Sequence, residues 1–155
     1  ADLPSFDDYR MAGRTYRFFQ GTPLYPFGHG LSYSTFRYER LRFSSDTLRG
    51  DDTVTVSVNV TNTSSRAGDE VVQLYVRYPS SAVTRPKRDL RGFRRVTLQP
   101  RETRTVTFPL AAAAVRYWDP DAHRWTIEHG PVAVEAGASS ADIRLTTTIV
   151  VTGKR

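Results

Sequence analysis

Four valines at every second position constrain the fold of this chain more than any other feature. Val54, Val56, Val58 and Val60 alternate with Thr55, Ser57 and Asn59. A repeat of two puts the valines on one face of an extended strand and the polar residues on the other. Such a strand needs an apolar layer to cover it, so Val56 and Val58 are expected inside, with Thr55 and Ser57 facing out. The pattern recurs along the chain. Val72, Leu74, Val76 and Tyr78 form a second face. Val96 and Leu98 mark a strand closed by Gln99-Pro100, and Val106, Phe108 and Leu110 alternate with threonines. Trp125 and Ile127, then Val132 and Val134, suggest two strands split by Gly130-Pro131. Ile143, Leu145, Thr147 and Ile149 alternate toward the end. Short strands separated by turn residues predict an antiparallel sandwich or barrel. Four alanines, Ala111–Ala114, cannot sustain an isolated helix and are read as a turn or a single helical turn.

The chain divides by composition. Residues 1–43 hold 11 of the 18 aromatic residues, together with Pro4, Pro23, Pro26 and several glycines. A flexible linker would be poor in aromatics. Residues 1–35 are therefore expected to be an extended tether pinned along a surface, without a helix over 20–34, and residues 36–155 to be the β-domain.

The net charge of +6 sits in one place: residues 85–104 carry eight arginines and lysines against Asp89 and Glu102. This reads as a solvated or interface-facing basic edge. A nucleic-acid patch is the alternative, but Phe93 is the only aromatic in the run, so no platform for stacking bases is visible. No apolar run approaches the roughly 20 residues of a membrane span, no signal-peptide pattern opens the chain, and there is no cysteine. The chain opens on Ala1, which suggests a processed protein or a piece of a longer one.

The most specific motif is Leu24-Tyr25-Pro26-Phe27-Gly28-His29-Gly30-Leu31-Ser32-Tyr33-Ser34-Thr35-Phe36. Pro26 fixes a backbone angle, Gly28 and Gly30 allow left-handed or close-approach geometry, and the aromatics bury large area. The result is a rigid aromatic loop. It is not a phosphate cradle, because no helix pattern follows Gly30. Tyr25, Pro26, Phe27, Gly28, His29, Gly30, Leu31, Tyr33 and Phe36 are the expected structural anchor, and His29 reads as packed or hydrogen-bonded.

This loop resembles the one that opens the C-terminal fibronectin type III-like domain of family-3 glycoside hydrolases, the β-glucosidases and β-xylosidases. Further stretches resemble that family in order: Asn62 to Val76, the basic Arg85 to Phe93, Val96 to Pro100 with Thr105 to Leu110, then Trp125 and Gly137 to Ile143. The stretch Met11 to Phe19 resembles the β-xylosidase branch. Three turns depart from the family: Pro131-Val132 replaces an aromatic after Gly130, Arg101 stands where a glycine usually follows the strand-closing proline, and the alanine run is unusual. The resemblance implies an immunoglobulin-like antiparallel β-sandwich. It also implies a non-catalytic accessory role in a retaining exo-β-glycosidase of periplasmic or secreted location. The parent would act on plant cell-wall oligosaccharides, and the partners would be its own catalytic domains.

Retaining hydrolysis needs two carboxylates roughly 5–5.5 Å apart. The local candidates are Asp119 and Asp121, which read more simply as the ends of a proline turn. No catalytic, cofactor or metal residue is expected, and His29, His123 and His129 lack the spacing of a zinc site. Trp118 and Trp125 around His123 offer either a sugar-stacking platform or core aromatics, which keeps an independent carbohydrate-binding module as the alternative. Asn59 and Asn62 head formal glycosylation sequons. The isolated fragment is expected to lack glycosidase activity, to self-associate or show disorder over its first ~20 residues, and to bind neither nucleic acid nor membrane.

Overall fold

The computed structural model describes residues 5–9 and 11–153. Residues 1–4, 10, 154 and 155, which belong to the expected tether and sandwich segments, lie outside the described residues. The described residues before β1 hold a single helical turn, α1 (Thr15–Phe18), and no helix over 20–34. Ten strands follow: β1 (Phe36–Phe43), β2 (Thr47–Arg49), β3 (Thr53–Asn62), β4 (Gly68–Arg77), β5 (Asp89–Leu98), β6 (Thr103–Ala111), β7 (Tyr117–Asp119), β8 (Arg124–Thr126), β9 (Gly130–Gly137) and β10 (Ile143–Thr152).

Three strands pair as β1-β3-β6, five as β2-β10-β9-β4-β5, and β7-β8 stand apart as a hairpin. Every pairing is antiparallel except β2 with β10. The β3 valines are buried and Thr55 is exposed, as the alternation requires. They face Val106, Phe108 and Leu110 across the register Val58↔Val106, Val56↔Phe108 and Val54↔Leu110. Val72, Leu74, Val76, Val134 and Ile149 from the larger sheet complete the apolar layer between the two. The result is a two-layer β-sandwich, each sheet burying one face against the other. The alanine run forms a single 3-10 turn, Ala112–Val115.

Four details differ from the sequence expectation. The short strands β2 and β7 were not anticipated, because three residues carry no readable period. β5 starts at Asp89, seven residues before the first valine of its expected pattern. Gly130-Pro131 does not separate two strands but opens β9, and a proline fits the first turn of pairing, where a missing N–H costs least. Lastly, β4 was expected to bury one face only. Gln73 and Tyr75, on its other face, are also buried, because Gly28 and Tyr16 of the N-terminal segment lie over them.

Candidate functional site

The surface that the sequence singles out is the outer face of the five-stranded sheet, where the N-terminal segment crosses β4. Tyr16, in α1, stacks on Phe27 with ring centroids 4.2 Å apart, and meets Tyr75 edge-on at 6.2 Å. The Tyr16 hydroxyl accepts a hydrogen bond from the Leu90 N–H at 3.0 Å. Burial raises the pKa of the Tyr75 phenol, so it stays protonated and donates to the Gln73 side-chain oxygen. The Gln73 amide nitrogen donates in turn to the carbonyls of Gly28 and Ala138. Gly28 has φ +78°, and a β-carbon there would stand 2.2 Å from the Gln73 oxygen. Only glycine meets both demands. The turn is closed by His29 N–H donating to the Pro26 carbonyl, and the loop is tied to the β9–β10 turn by Ser140 N–H donating to Phe27.

The residues expected to form the anchor therefore split into two groups. Phe36 is buried in the core, while Gly28 is held by Gln73 and Phe27, itself 45% exposed, stacks on Tyr16 with its carbonyl bonded by Ser140. Tyr25, Leu31 and Tyr33 point away from the sheet, with Leu31 and Tyr33 each 94% exposed. Beside them Phe93 and Val71 are exposed on β5 and β4. Phe27, Leu31 and Phe93 border a groove of about 570 Å³ that Gln73 and Arg144 also line. His29 lies in the loop, its ring 5.6 Å from that of Tyr25.

The basic segment folds inward as much as outward. Arg85 pairs with Glu128 at 3.1 Å, Arg91 with Asp89 at 2.5 Å, and Arg95 and Arg104 with Asp69 and Glu102. Arg88 lies 3.1 Å from Glu135, close enough for charge attraction though not aligned as a hydrogen bond, while Arg77 bonds the other Glu135 oxygen at 2.9 Å. The Arg85 side chain is only 7% exposed, gripped between the rings of Tyr78 and Tyr117. The expectation of a solvated edge fails for Arg85 and Arg88. Carboxylates distant in sequence neutralise them, and a local charge count cannot register such partners. The same segment ties down the N-terminal segment, since Asp89 binds Arg17 at 3.0 Å. Gly92 lets β5 close on the opposite sheet, for a β-carbon there would already press on Phe108 at 3.0 Å.

The remaining candidates separate. Asp119 accepts bonds from the N–H groups of Asp121 and Ala122, so it caps its own turn. Trp118 and Trp125 are cross-strand partners in the β7–β8 hairpin, 50% and 63% exposed, and are not core aromatics. No cluster of three metal-ligating side chains occurs among the described residues, and no helix there is long and apolar enough to cross a membrane. Asn62 is fully buried. Its side chain donates to the Arg66 and Leu98 carbonyls and accepts from Ser64 N–H, which makes it a structural clamp.

Residues 70–140, from β4 to the β9–β10 turn, match the fibronectin type III-like domain family. A β-xylosidase of Formosa agariphila is 45% identical over 81% of this chain and 17% of its own length. A periplasmic β-glucosidase of Salmonella typhimurium is 41% identical over 79% of this chain and 16% of its own. The solved β-glucosidase of Erythrobacter marinus superposes with a TM-score of 0.78, at 40% identity over 90% of this chain and 18% of that one. The chain is a fibronectin type III-like domain of family-3 glycoside hydrolase kind. This fibronectin type III-like domain thus spans a fifth or less of the relatives it matches.

Sequence reasoning named the loop but not what holds it: Tyr16, Gln73, Tyr75 and Asp89. One signal was present. Residues 71–76, reading VVQLYV, interrupt a continuous apolar run with a single glutamine, and continuous runs mark strands covered on both faces.

Proposed function

We propose that this domain is a non-catalytic accessory module of a retaining exo-β-glycosidase of the β-xylosidase or β-glucosidase type. It docks on the catalytic domains of the same enzyme through the outward half of its aromatic loop. In this reading residues 1–35 are the tether, residues 36–155 the sandwich, and Tyr25 to Phe36 the loop that couples them. The observation that carries it is the division of the loop. Phe36, buried in the core, and the bonds from Gln73 and Ser140 to the Gly28 and Phe27 carbonyls hold its backbone against the domain, while Leu24, Tyr25, Leu31 and Tyr33 stand 71–94% exposed beside Phe93. A fixed, exposed apolar patch is characteristic of an interaction surface. The small share of each relative that the chain spans supplies a partner within one polypeptide. The name of the Salmonella typhimurium relative supports a periplasmic or secreted setting.

The test is made in a parent enzyme carrying this domain. Leu31→Ser with Tyr33→Ser should lower its melting temperature and leave the preference between aryl xyloside and glucoside unchanged. Unchanged stability with shifted preference would place the loop at the sugar site and overturn the docking reading. The 155-residue chain alone should turn over neither substrate and should self-associate through the same patch. Turnover abolished by Asp119→Asn would overturn the non-catalytic assignment.

A further inference from the structure

A second feature lies away from the loop, where the β7–β8 hairpin leans over the start of β5. Trp118 and Trp125 face each other across the hairpin, ring centroids 5.8 Å apart and planes at 74°. They form a corner, one indole face set beside the edge of the other. The hairpin is held firmly. Tyr117 stacks over Arg85, whose guanidinium also covers Tyr78 and bonds Glu128. Glu128, just past β8, accepts from the Ser81 hydroxyl and Ala82 N–H at 2.7 and 2.6 Å. Asp119 fixes the turn at the tip. Two large aromatics are thus kept half-exposed on a braced support, although packing them inward would bury well over 100 Å² each.

Trp118 and Trp125 line a cavity of about 680 Å³. This is within the ~300–1,000 Å³ of small-molecule sites. It is also lined by Asp89, Arg91 and Arg17, a carboxylate between two guanidiniums. Aromatic faces beside fixed donors and acceptors are what a pyranose ring requires, with axial C–H groups against the indole and hydroxyls toward the charges. Perpendicular indoles do not form the flat row that a crystalline polysaccharide face would need. They suit a single soluble chain that can turn a ring into the corner.

We infer that the Trp118–Trp125 corner, together with Arg17, Asp89 and Arg91, is a binding site for single soluble chains of pyranose sugars. The site is independent of the docking surface proposed above, since it shares neither its residues nor its groove. The chain has only two tryptophans, so two indole N–H signals report on it directly by NMR. In the 155-residue chain, xylohexaose or cellohexaose should shift both signals saturably, with a dissociation constant near the ~1 mM that marks weak sites, or below it. Trp125→Ala should weaken binding at least about tenfold, as removal of a central stacking aromatic does. Trp125→Phe should restore part of it, and neither change should move the melting temperature by more than about 2 °C, because the side chain is mostly exposed. Arg91→Lys should weaken binding while leaving the indoles stacked. Three results would overturn the inference: no indole response to either sugar up to about 10 mM, undiminished binding in a Trp118→Ala/Trp125→Ala chain that still melts cooperatively, or adsorption to crystalline cellulose in place of the soluble chains.

Discussion

The side-chain amide of Gln73 donates to the carbonyl of Gly28 at 3.2 Å, joining a central strand to a loop 45 residues earlier. This bond turns a proline- and glycine-rich segment into part of the domain. It also makes two positions interdependent. Gly28→Ala would require a β-carbon at a left-handed backbone angle and 2.2 Å from the Gln73 oxygen. It should destabilise the chain by roughly 1–3 kcal/mol, combining backbone strain with the lost bond. Gln73→Leu should cost a similar ~1–3 kcal/mol, because the Gly28 and Ala138 carbonyls would lose their donor. Being in contact, the two should be non-additive in a double mutant. Denaturant midpoints of the four proteins check this, and strict additivity would mean that Gly28 acts through its backbone angle alone.

The second sequon is a structural device. With both carbonyls and one N–H satisfied by the Asn62 side chain in a fully buried setting, Asn62→Ala should cost about 2–4 kcal/mol. Asn59, half-buried on the same strand with one bond to Thr105, should cost under about 1 kcal/mol. Equal losses in urea melts would refute the clamp. Glycan attachment at Asn62 should be absent from the folded chain, since its amide nitrogen is committed twice.

Much of the sandwich is legible in the sequence because alternation reports burial directly. Val54 to Val60 faces a core, so its period of two survives, and Val106 to Leu110 answers it across the register. The period fails where a strand is covered on both faces. At Gln73 and Tyr75 a distant segment supplies the second cover, and no local window contains Tyr16 or Gly28. The arginines mislead for a related reason: Arg85 and Arg88 are neutralised by Glu128 and Glu135, more than 40 residues away. The exposed tryptophans were ambiguous because a three-residue hairpin strand has no period to say which side is wet.

One departure from the family pattern has a measurable consequence. Arg101 follows the strand-closing Pro100, where the resemblance leads one to expect glycine, and it adopts φ +63°. The left-handed region costs a non-glycine residue about 1–2 kcal/mol, and glycine returns part of that as unfolded-state entropy. Arg101→Gly should therefore stabilise by roughly 0.5–1 kcal/mol and raise the melting temperature by a few degrees. The Arg101 side chain is exposed at the turn, so little packing is lost. A lower melting temperature would show that the side chain contributes more than its backbone angle costs.

Glu128 links the pH dependence of the domain to the hairpin that carries its tryptophans. Burial by itself would raise this carboxyl, but the Ser81 hydroxyl, the Ala82 N–H and the Arg85 guanidinium outweigh it and hold Glu128 below the ordinary glutamate range. A carboxylate whose folded pKa is depressed contributes stability above its unfolded pKa. That contribution disappears as the pH falls through the folded value, because the unfolded chain takes up the proton first. Glu128→Gln keeps the shape but removes the charge. It should lower the denaturant midpoint at about pH 7, and the deficit should shrink steadily below about pH 4.5, where the carboxyl of the unfolded wild-type chain takes up its proton, and vanish once the pH is below the depressed folded value. The indole signals of Trp118 and Trp125 should broaden or shift with the same profile, since Arg85 would then be gripped by Tyr78 and Tyr117 alone. Parallel stability curves for the two proteins across this range would mean that the Arg85–Glu128 pair contributes no charge-dependent stability, and the bracing of the hairpin would then rest on the stacked rings.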